Sequence, residues 1–187
     1  MSCARMLHEQ VNLTVFESEP RPGGHTHTVE VEENGVPVPV DTGFMVYNEV
    51  TYPRLTRLFE ELHVETEPTD MSFSVQHRLL GLEYCGSRPN SLLAQRRNLM
   101  RPRFLQMLRD ILRFNRRAVL ALESGQLTDQ TLQAFVQAEG FGQTFLDAYL
   151  VPMTSAIWST PPDEMLDFPA HTLVRFMFNH GLLGVRT

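Results

Sequence analysis

Residues 11–24 read VNLTVFESEPRPGG, an apolar run that ends in an acid and leads into a loop of prolines and glycines. The first part, VNLTVFE at residues 11–17, is short and rich in β-branched side chains, a composition typical of a buried parallel strand. The part that follows contains two prolines and two glycines, which interrupt regular structure. This stretch therefore predicts a strand that ends at Glu17 and opens into an irregular loop.

The loop places an acid, an arginine and two glycines in the pattern ExxxRxGG, as Glu17, Arg21, Gly23 and Gly24. In a dinucleotide-binding βαβ unit, an acid at the end of the second strand accepts hydrogen bonds from ribose hydroxyls. Adjacent glycines allow the backbone to approach a ligand closely, and an arginine offers a fork of donors to phosphate oxygens. A lone Glu17 would be interpreted as a solvated acid and the glycines as turn residues, but the whole pattern favours a dinucleotide site.

The rest of the chain divides into a mixed part and a mainly helical part. The hydrophobic spacing and turn residues predict the following elements. They are the end of a helix at residues 2–10, a hairpin at 26–41 around Asn34-Gly35, a helix at 51–64, and strands at 72–85 with a turn near Gly81. Helices follow beyond residue 90.

The longest predicted helix, residues 101–123, is strongly amphipathic, with arginines opposite an apolar face. The apolar face is predicted to consist of Phe104, Leu105, Leu108, Ile111, Leu112, Val119 and Leu122. Thr128 is predicted to be the N-cap of a helix that reaches about Ala138, and a last helix is predicted from about Pro169 to near Gly181.

Composition excludes several classes of protein. The net charge is −6, which disfavours a nucleic-acid binder. All 16 basic residues are arginine, so lysine-based covalent catalysis is excluded for this chain. No apolar stretch approaches the roughly 20 residues of a membrane-spanning helix, and the first residues do not resemble a signal peptide, so we expect a cytoplasmic protein. Cys3 and Cys85 lack metal or disulfide spacing and are expected to be reduced, structural thiols.

Positive charge is concentrated between Arg88 and Arg117. This segment contains nine arginines and a single acid, Asp110. The simplest interpretation is a solvated helix face. The alternative is a surface that binds an anionic membrane or another anionic partner.

The loop and the segment after it resemble a known family. Residues 16–28, FESEPRPGGHTHT, look like the second FAD-contacting motif of the amine oxidase and phytoene desaturase superfamily, and residues 40–48, VDTGFMVYN, are similar to the segment that follows it there. The resemblance implies that Glu17, Arg21, Gly23 and Gly24 contact FAD. Residues 155–183 are similar to the helical substrate-domain region of a bacterial branch of the superfamily.

The same resemblance extends to three further positions. His25 stands where the family often has arginine, so its contact with an anion is expected to be weaker. Asp41 and Gly43 reproduce an Asp-x-Gly turn that lies near the flavin ring in the family; the alternative is an Asx-turn that ends a hairpin. His25 and His27 could suggest a metal pair, but no nearby ligands complete a set and no metal site is expected.

The resemblance implies an α/β fold, with a partial Rossmann-like FAD-binding domain at residues 1–68 and a mainly helical, partial substrate-binding domain at residues 69–187. The implied activity is transfer of a hydride equivalent from a C–H bond of a small-molecule substrate to the flavin; no catalytic residue can be named. Trp158 is expected in the core or, less readily, in the substrate pocket.

The 187 residues contain no GxGxxG, which is expected about 20 residues before the acid. The resemblance therefore predicts that the first strand with its glycine loop, and a distal segment that completes the flavin site, lie outside this chain. The competing hypothesis is a non-catalytic remnant or interaction module that binds no flavin and self-associates through an unpaired sheet edge.

Overall fold

The computed structural model describes residues 2–43, 46–69, 72–86 and 89–184. The chain forms two compact units, Met1–Glu65 and Thr66–Thr187. Elements of the first unit are α1 (Ser2–Leu7), β1 (His27–Glu33), β2 (Val36–Gly43) and α2 (Pro53–Leu62). Elements of the second unit are β3 (Ser74–His77), β4 (Leu82–Cys85), α3 (Pro89–Leu92), a 3₁₀ helix (Arg96–Met100), α4 (Pro102–Glu123), α5 (Leu132–Ala138), α6 (Gln143–Phe145), a π-helix (Leu146–Leu150), α7 (Val151–Trp158), a second 3₁₀ helix (Met165–Asp167) and α8 (Ala170–Asn179). The mixture of helices and strands confirms the α/β class.

The hairpin of the first unit forms as predicted. Strands β1 and β2 pair antiparallel, with Val29 opposite Val40 and Val31 opposite Val38. The turn between them uses Asn34 and Gly35, both with positive φ. Two successive residues with positive φ match the right-handed twist of the flanking strands, which is why Asn-Gly favours this turn.

The predicted strand at residues 11–17 is wrong for this structure: residues 12–17 have no regular secondary structure. A strand exists only through hydrogen bonds to a neighbouring strand, and among the described residues both sheets are two-stranded antiparallel hairpins that leave this run unpaired. The apolar side chains of the run are consequently exposed, Phe16 by 91%. No described residue of the first unit is fully buried.

Helix α2 confirms the predicted helix near residues 51–64. It begins with Pro53 in its first turn, where the missing N–H costs nothing, and ends at His63 in the left-handed conformation. Phe59 on its inner face packs edge-on against Tyr47, with ring centroids 5.2 Å apart. The side chain of Asn48 closes the preceding turn, because its Oδ1 accepts from the N–H of Thr51 at 2.8 Å.

The core of the second unit is built on α4, which confirms the predicted long helix. The predicted apolar face is confirmed only in part, since Phe104 is buried and Leu108, Ile111, Val119 and Leu122 are partly buried against the core. The fully buried side chains of the helix are Phe104, Met107, Asp110, Phe114, Ala118 and Ala121, while Leu105 and Leu112 are exposed. Tertiary packing determines which face of the helix is buried. The ring of Phe114 lies 5.5–6.1 Å, centroid to centroid, from three other rings: Phe135, Phe141 and Phe145.

The N-cap of α5 is Thr131 and not Thr128. The hydroxyl of Thr131 accepts from the N–H of Ala134 at 3.2 Å, whereas that of Thr128 donates to the carbonyl of Gly125. Thr131 is also held by an isolated bridge to Pro169, next to the start of α8. This tertiary contact selects the later threonine. Helix α8 itself confirms the predicted last helix.

The hairpin of β3 and β4 confirms the predicted strands and the turn near Gly81, whose φ is +56°. Its buried Tyr84 donates a hydrogen bond of 2.6 Å from the hydroxyl to the carbonyl of Ala148 in the π-helix. Burial raises the pKa of Tyr84, and it raises the pKa of Tyr149 in the same π-helix to about 12. The hairpin and the π-helix are thus joined by the buried hydrogen bond of Tyr84.

Trp158, at the end of α7, packs against Phe176 and Phe168, with ring centroids 4.7 and 5.4 Å apart. The half-buried indole therefore contributes to the packing of α8 against its neighbours. In the part of the chain that the structure describes, no helix combines the length and apolarity needed to cross a membrane.

Candidate cofactor-binding loop

The seven candidate residues Glu17, Arg21, Gly23, Gly24, His25, Asp41 and Gly43 all lie in the first unit. The first five belong to the loop that precedes β1, and the last two are at the end of β2. Six are exposed and Gly43 is half-buried. Because β1 and β2 are paired, the end of β2 returns to the loop, and Gly43 lies beside the His25 carbonyl at this end of the hairpin.

Arg21 holds the loop together. Its guanidinium donates to the carbonyl of Gly24 at 2.9 Å and to the carbonyl of Thr26. The sequence pattern predicted that the fork of donors would face a phosphate. In the structure both terminal nitrogens instead donate to backbone oxygens of the loop itself. This contact gives Arg21 a structural role, which is to fold the glycine segment around its side chain.

The two glycines have backbone conformations that other residues rarely adopt. Gly23 has φ of +117° and Gly24 has φ of +61°. A Cβ on Gly23 would lie 2.9 Å from the hydroxyl oxygen of Thr26, whereas a Cβ on Gly24 would meet nothing within 4 Å. Gly23 is therefore required by the turn, and Gly24 presents bare backbone to open space, where a ligand could approach without steric conflict.

Thr26 is a residue of this loop that the sequence interpretation missed. Its hydroxyl donates to the carbonyl of Gly23 at 2.7 Å, and its backbone N–H donates to the same oxygen at 3.3 Å. The signal was available, because a threonine three residues after a glycine carbonyl is a common turn-forming arrangement. Thr26 and Arg21 together fix the loop without help from a hydrophobic core.

Gly43 is needed for a close backbone contact. A Cβ at this position would lie 1.9 Å from the carbonyl oxygen of His25, a separation that no side chain tolerates. The contact occurs where the register of the hairpin shifts between His27 and Thr28. Asp41, on the same strand, accepts a hydrogen bond of 2.6 Å from the hydroxyl of Thr28. The predicted Asp-x-Gly turn is thus the last part of β2, held against the start of β1.

Glu17 is separate from the other candidates. Its carboxylate accepts only a 3.1 Å hydrogen bond from the backbone N–H of Glu19, among the described residues. The side chain is exposed, and its second oxygen has no protein partner in this part of the chain. A carboxylate in this state can accept hydrogen bonds from a ligand hydroxyl. Within the described residues, no cluster of histidine, cysteine, aspartate or glutamate could hold a metal ion.

A cleft of about 380 Å³ in the first unit lies elsewhere. Leu13, Leu58 and Leu62 line it together with residues of α1. None of the candidate residues contributes to it. The cleft is therefore not an alternative dinucleotide site, because its lining lacks the acid and the glycines that recognise a dinucleotide.

The family is established by sequence comparison. The family described as flavin containing amine oxidoreductase matches residues 1–182, nearly the whole chain. The chain belongs to this family of flavin-containing oxidoreductases. Comparison with curated proteins and with solved structures gives no match.

Proposed function

We propose that the first unit forms part of the adenosine side of an FAD site in an oxidoreductase of the amine oxidase type. The observation that carries the proposal is the backbone of Gly23 and Gly24, which is left-handed and open to solvent at Gly24. It lies in the loop that follows the exposed carboxylate of Glu17. Backbone that a ligand can approach closely, together with an acid that accepts from ribose hydroxyls, is typical of a dinucleotide site.

Four of the seven candidate residues have a definite task in this proposal. Glu17 accepts hydrogen bonds from the ribose hydroxyls, and the Gly24 backbone lies against the cofactor. Arg21 maintains the loop by donating to the carbonyls of Gly24 and Thr26. Donors other than Arg21 bind the phosphates. Gly43 allows the end of β2 to approach the His25 carbonyl, which holds the loop close to the hairpin.

When bound, the flavin supplies the redox chemistry by accepting a hydride equivalent from a substrate C–H bond. The residues of this chain bind and orient. Under the proposal, residues 11–17 become a strand of a Rossmann-like sheet when a neighbouring strand pairs with them, and the helical second unit contributes to substrate binding. The exposed apolar side chains of this run, including Val15 and Phe16, support such pairing because burial would remove them from water.

The affinity of this chain for FAD is expected to be low. A ribose clamp and one glycine backbone contribute a few kcal/mol, which corresponds at best to millimolar affinity after the entropic cost of ordering the ligand. The first test is titration with FAD, followed by flavin fluorescence. The second test repeats the titration on a version preceded by a strand and a GxGxxG loop, which binds pyrophosphate at a helix N-terminus.

In the extended version, Glu17→Ala is expected to weaken FAD binding about ten- to a hundred-fold, since hydrogen bonds to a charged acceptor contribute roughly 1.5–3 kcal/mol. Glu19→Ala is the matched control, because it removes a nearby exposed carboxylate and keeps the N–H that donates to Glu17. Equal affinity of the Glu17 and Glu19 variants would remove Glu17 from the site. Micromolar binding by the chain without the added loop would show that the cofactor site lies elsewhere.

A second candidate function is that of an interaction module without flavin. It is favoured by one observation: the side chains of Val11, Leu13, Val15 and Phe16 are exposed in a run that no described strand pairs with. Such a segment can pair with another chain. Sedimentation velocity tests it, with self-association expected to decrease in Phe16→Ser and to persist in Leu79→Ser, which alters an equally exposed side chain of the second unit. Colourless protein that stays without flavin in excess FAD would favour this candidate.

A further inference from the structure

Helix α4 carries an exposed stripe that alternates leucine and arginine. We name it the Leu–Arg stripe; it consists of Leu105, Arg109, Leu112, Arg116 and Leu120. Successive members are four, three, four and four residues apart, a spacing that aligns them along one side of a helix. The leucines are 45%, 59% and 55% exposed in chain order. The stripe runs over about 22 Å at the helical rise per residue.

The stripe lies opposite the buried face of the helix. The helical repeat places Met107, Phe114 and Ala118 on the inner side, where they are fully buried. The three leucines on the outer side are each about half exposed and lie outside the buried core. They remain exposed to water in the described structure, at a cost that a covering surface would remove.

The arginines of the stripe differ from their neighbours on the same helix. Arg117 forms a two-pronged ion pair with Glu139, at 2.7 Å for each contact. Arg113 pairs with Asp110 at 3.1 Å and lies over the ring of Phe141. Arg109 and Arg116, in contrast, have no hydrogen-bond or ion-pair partner in the part of the chain that the structure describes. Their charges are free to bind an external anion.

The alternation of the two residue types identifies the occupant. A protein interface would be expected to concentrate its apolar side chains in a central patch, with charges depleted there. In the stripe each arginine instead stands between two leucines. A helix of this kind suits the boundary of a lipid bilayer, where leucine reaches the acyl chains while the long arginine side chain extends back to the phosphates.

We propose that the Leu–Arg stripe docks the second unit on a bilayer that contains anionic lipids. The helix lies parallel to the membrane surface, its leucines enter the boundary between headgroups and acyl chains, and Arg109 and Arg116 bind lipid phosphates. The one acid in line with the stripe on α4, Glu123, stands beyond Leu120 at the end of the helix. The chain carries a net charge of −6, so an anionic membrane repels most of its surface. We therefore expect the protein to bind such a membrane only with this face of α4 toward the lipid.

The test is co-sedimentation of the full chain with vesicles of neutral phosphatidylcholine, or of phosphatidylcholine with about a third phosphatidylglycerol, at low and high salt. We expect binding to the anionic vesicles and its loss in salt. Arg109→Gln and Arg116→Gln should each reduce the partition coefficient about five-fold, the change that one arginine makes near an anionic surface. Arg103→Gln is the matched control, because Arg103 is exposed on the same helix but lies off the stripe.

The apolar part of the stripe has its own control. Leu112→Ala should reduce binding several-fold through the loss of buried apolar area, while Leu79→Ala, which truncates a 94% exposed leucine in the turn of the β3–β4 hairpin, should not. All of these positions are exposed, so circular dichroism should show each variant folded.

Several outcomes would overturn the proposal. Equal binding to neutral and anionic vesicles would exclude the charge mechanism. Equal losses in Arg103→Gln and Arg109→Gln would mean that charge attracts the protein diffusely and that the stripe is not the docking face. If Leu112→Ala instead abolishes self-association measured without lipid, and leaves vesicle binding unchanged, the stripe is an interface between copies of this chain.

Discussion

Stability of the second unit should fall steeply as the pH rises above 10, because of two buried tyrosines. The pKa of Tyr149 is raised from 10.0 to about 12 by burial. The pKa of Tyr84 is raised further, first by burial and then by the neighbouring Tyr149. Both hydroxyls are therefore neutral in the folded protein at a pH where they ionise in the unfolded chain.

The direction and the size of the effect follow from these shifts. A pKa that is higher in the folded state favours folding below the pKa of the unfolded chain, and that contribution is lost as the pH rises through the folded value. For Tyr149 the two-unit difference corresponds to about 2–3 kcal/mol of unfolding free energy, lost between pH 10 and about 12. This is a large fraction of the roughly 5–15 kcal/mol that stabilises an ordinary domain.

The chain offers an unusually clear alkaline window because it has no lysine. Lysine side chains ordinarily titrate near 10.4 and would obscure the ionisation of tyrosine. Urea unfolding followed by circular dichroism at several pH values from 9 to 12 measures the loss of stability, and absorbance of tyrosinate reports the ionisation directly.

Two variants separate the contributions. Tyr149→Phe should flatten the pH dependence with little effect at neutral pH, since no hydrogen bond of its hydroxyl is found among the described residues. Tyr84→Phe should flatten it and also cost about 1–3 kcal/mol at neutral pH, because the Ala148 carbonyl loses its buried donor. Tyr52→Phe, at an exposed position, is the control. An unchanged pH dependence in Tyr149→Phe would refute the assignment.

Two further substitutions test the packing. Gly43→Ala should cost about 1–3 kcal/mol in the β1–β2 hairpin, because its Cβ would overlap the His25 carbonyl, and faster amide hydrogen exchange in the hairpin would show this. Gly24→Ala is the control, because its Cβ would contact no other atom and the only cost is that of the left-handed backbone. Equal amide exchange in the two variants would contradict the contact between Gly43 and the His25 carbonyl. Phe114→Ala should lower the unfolding free energy by about 3–5 kcal/mol in urea titrations, and a loss below 1 kcal/mol would mean that the aromatic cluster does not hold α4.

Features that depend on neighbouring residues could be predicted from the sequence. The Asn34-Gly35 turn follows from backbone preferences that operate over two residues, and the helix predicted at residues 51–64 follows from apolar spacing within that segment. The glycine loop was predicted for the same reason. The partners of Arg21 could not be predicted, because its donors reach the Gly24 and Thr26 carbonyls only after the loop has turned through its left-handed residues.

Features that depend on a distant partner could not be predicted. The run at residues 11–17 has the composition of a strand, but composition does not provide the neighbour that a strand pairs with. On α4, leucine and phenylalanine occur on more than one side, and the ring cluster around Phe114 decides which side is buried. Counting apolar residues therefore selected a face that includes Leu105 and Leu112, and it concealed the exposed stripe to which they belong.

The candidate loop and the core of the protein are stabilised by different means, and this difference bears on cofactor binding. The second unit is held by buried rings, whereas the first unit has no fully buried side chain among its described residues. Its glycine loop is maintained by the hydrogen bonds of Arg21 and Thr26 to exposed carbonyls, each of which competes with water. Under the proposed function, we expect the loop to be only partly populated in the free protein, which would reduce the apparent affinity for FAD in the same proportion. If FAD buries Gly24 and pairs with Glu17 as proposed, its binding would stabilise the loop, and cofactor affinity and the order of the first unit would depend on each other.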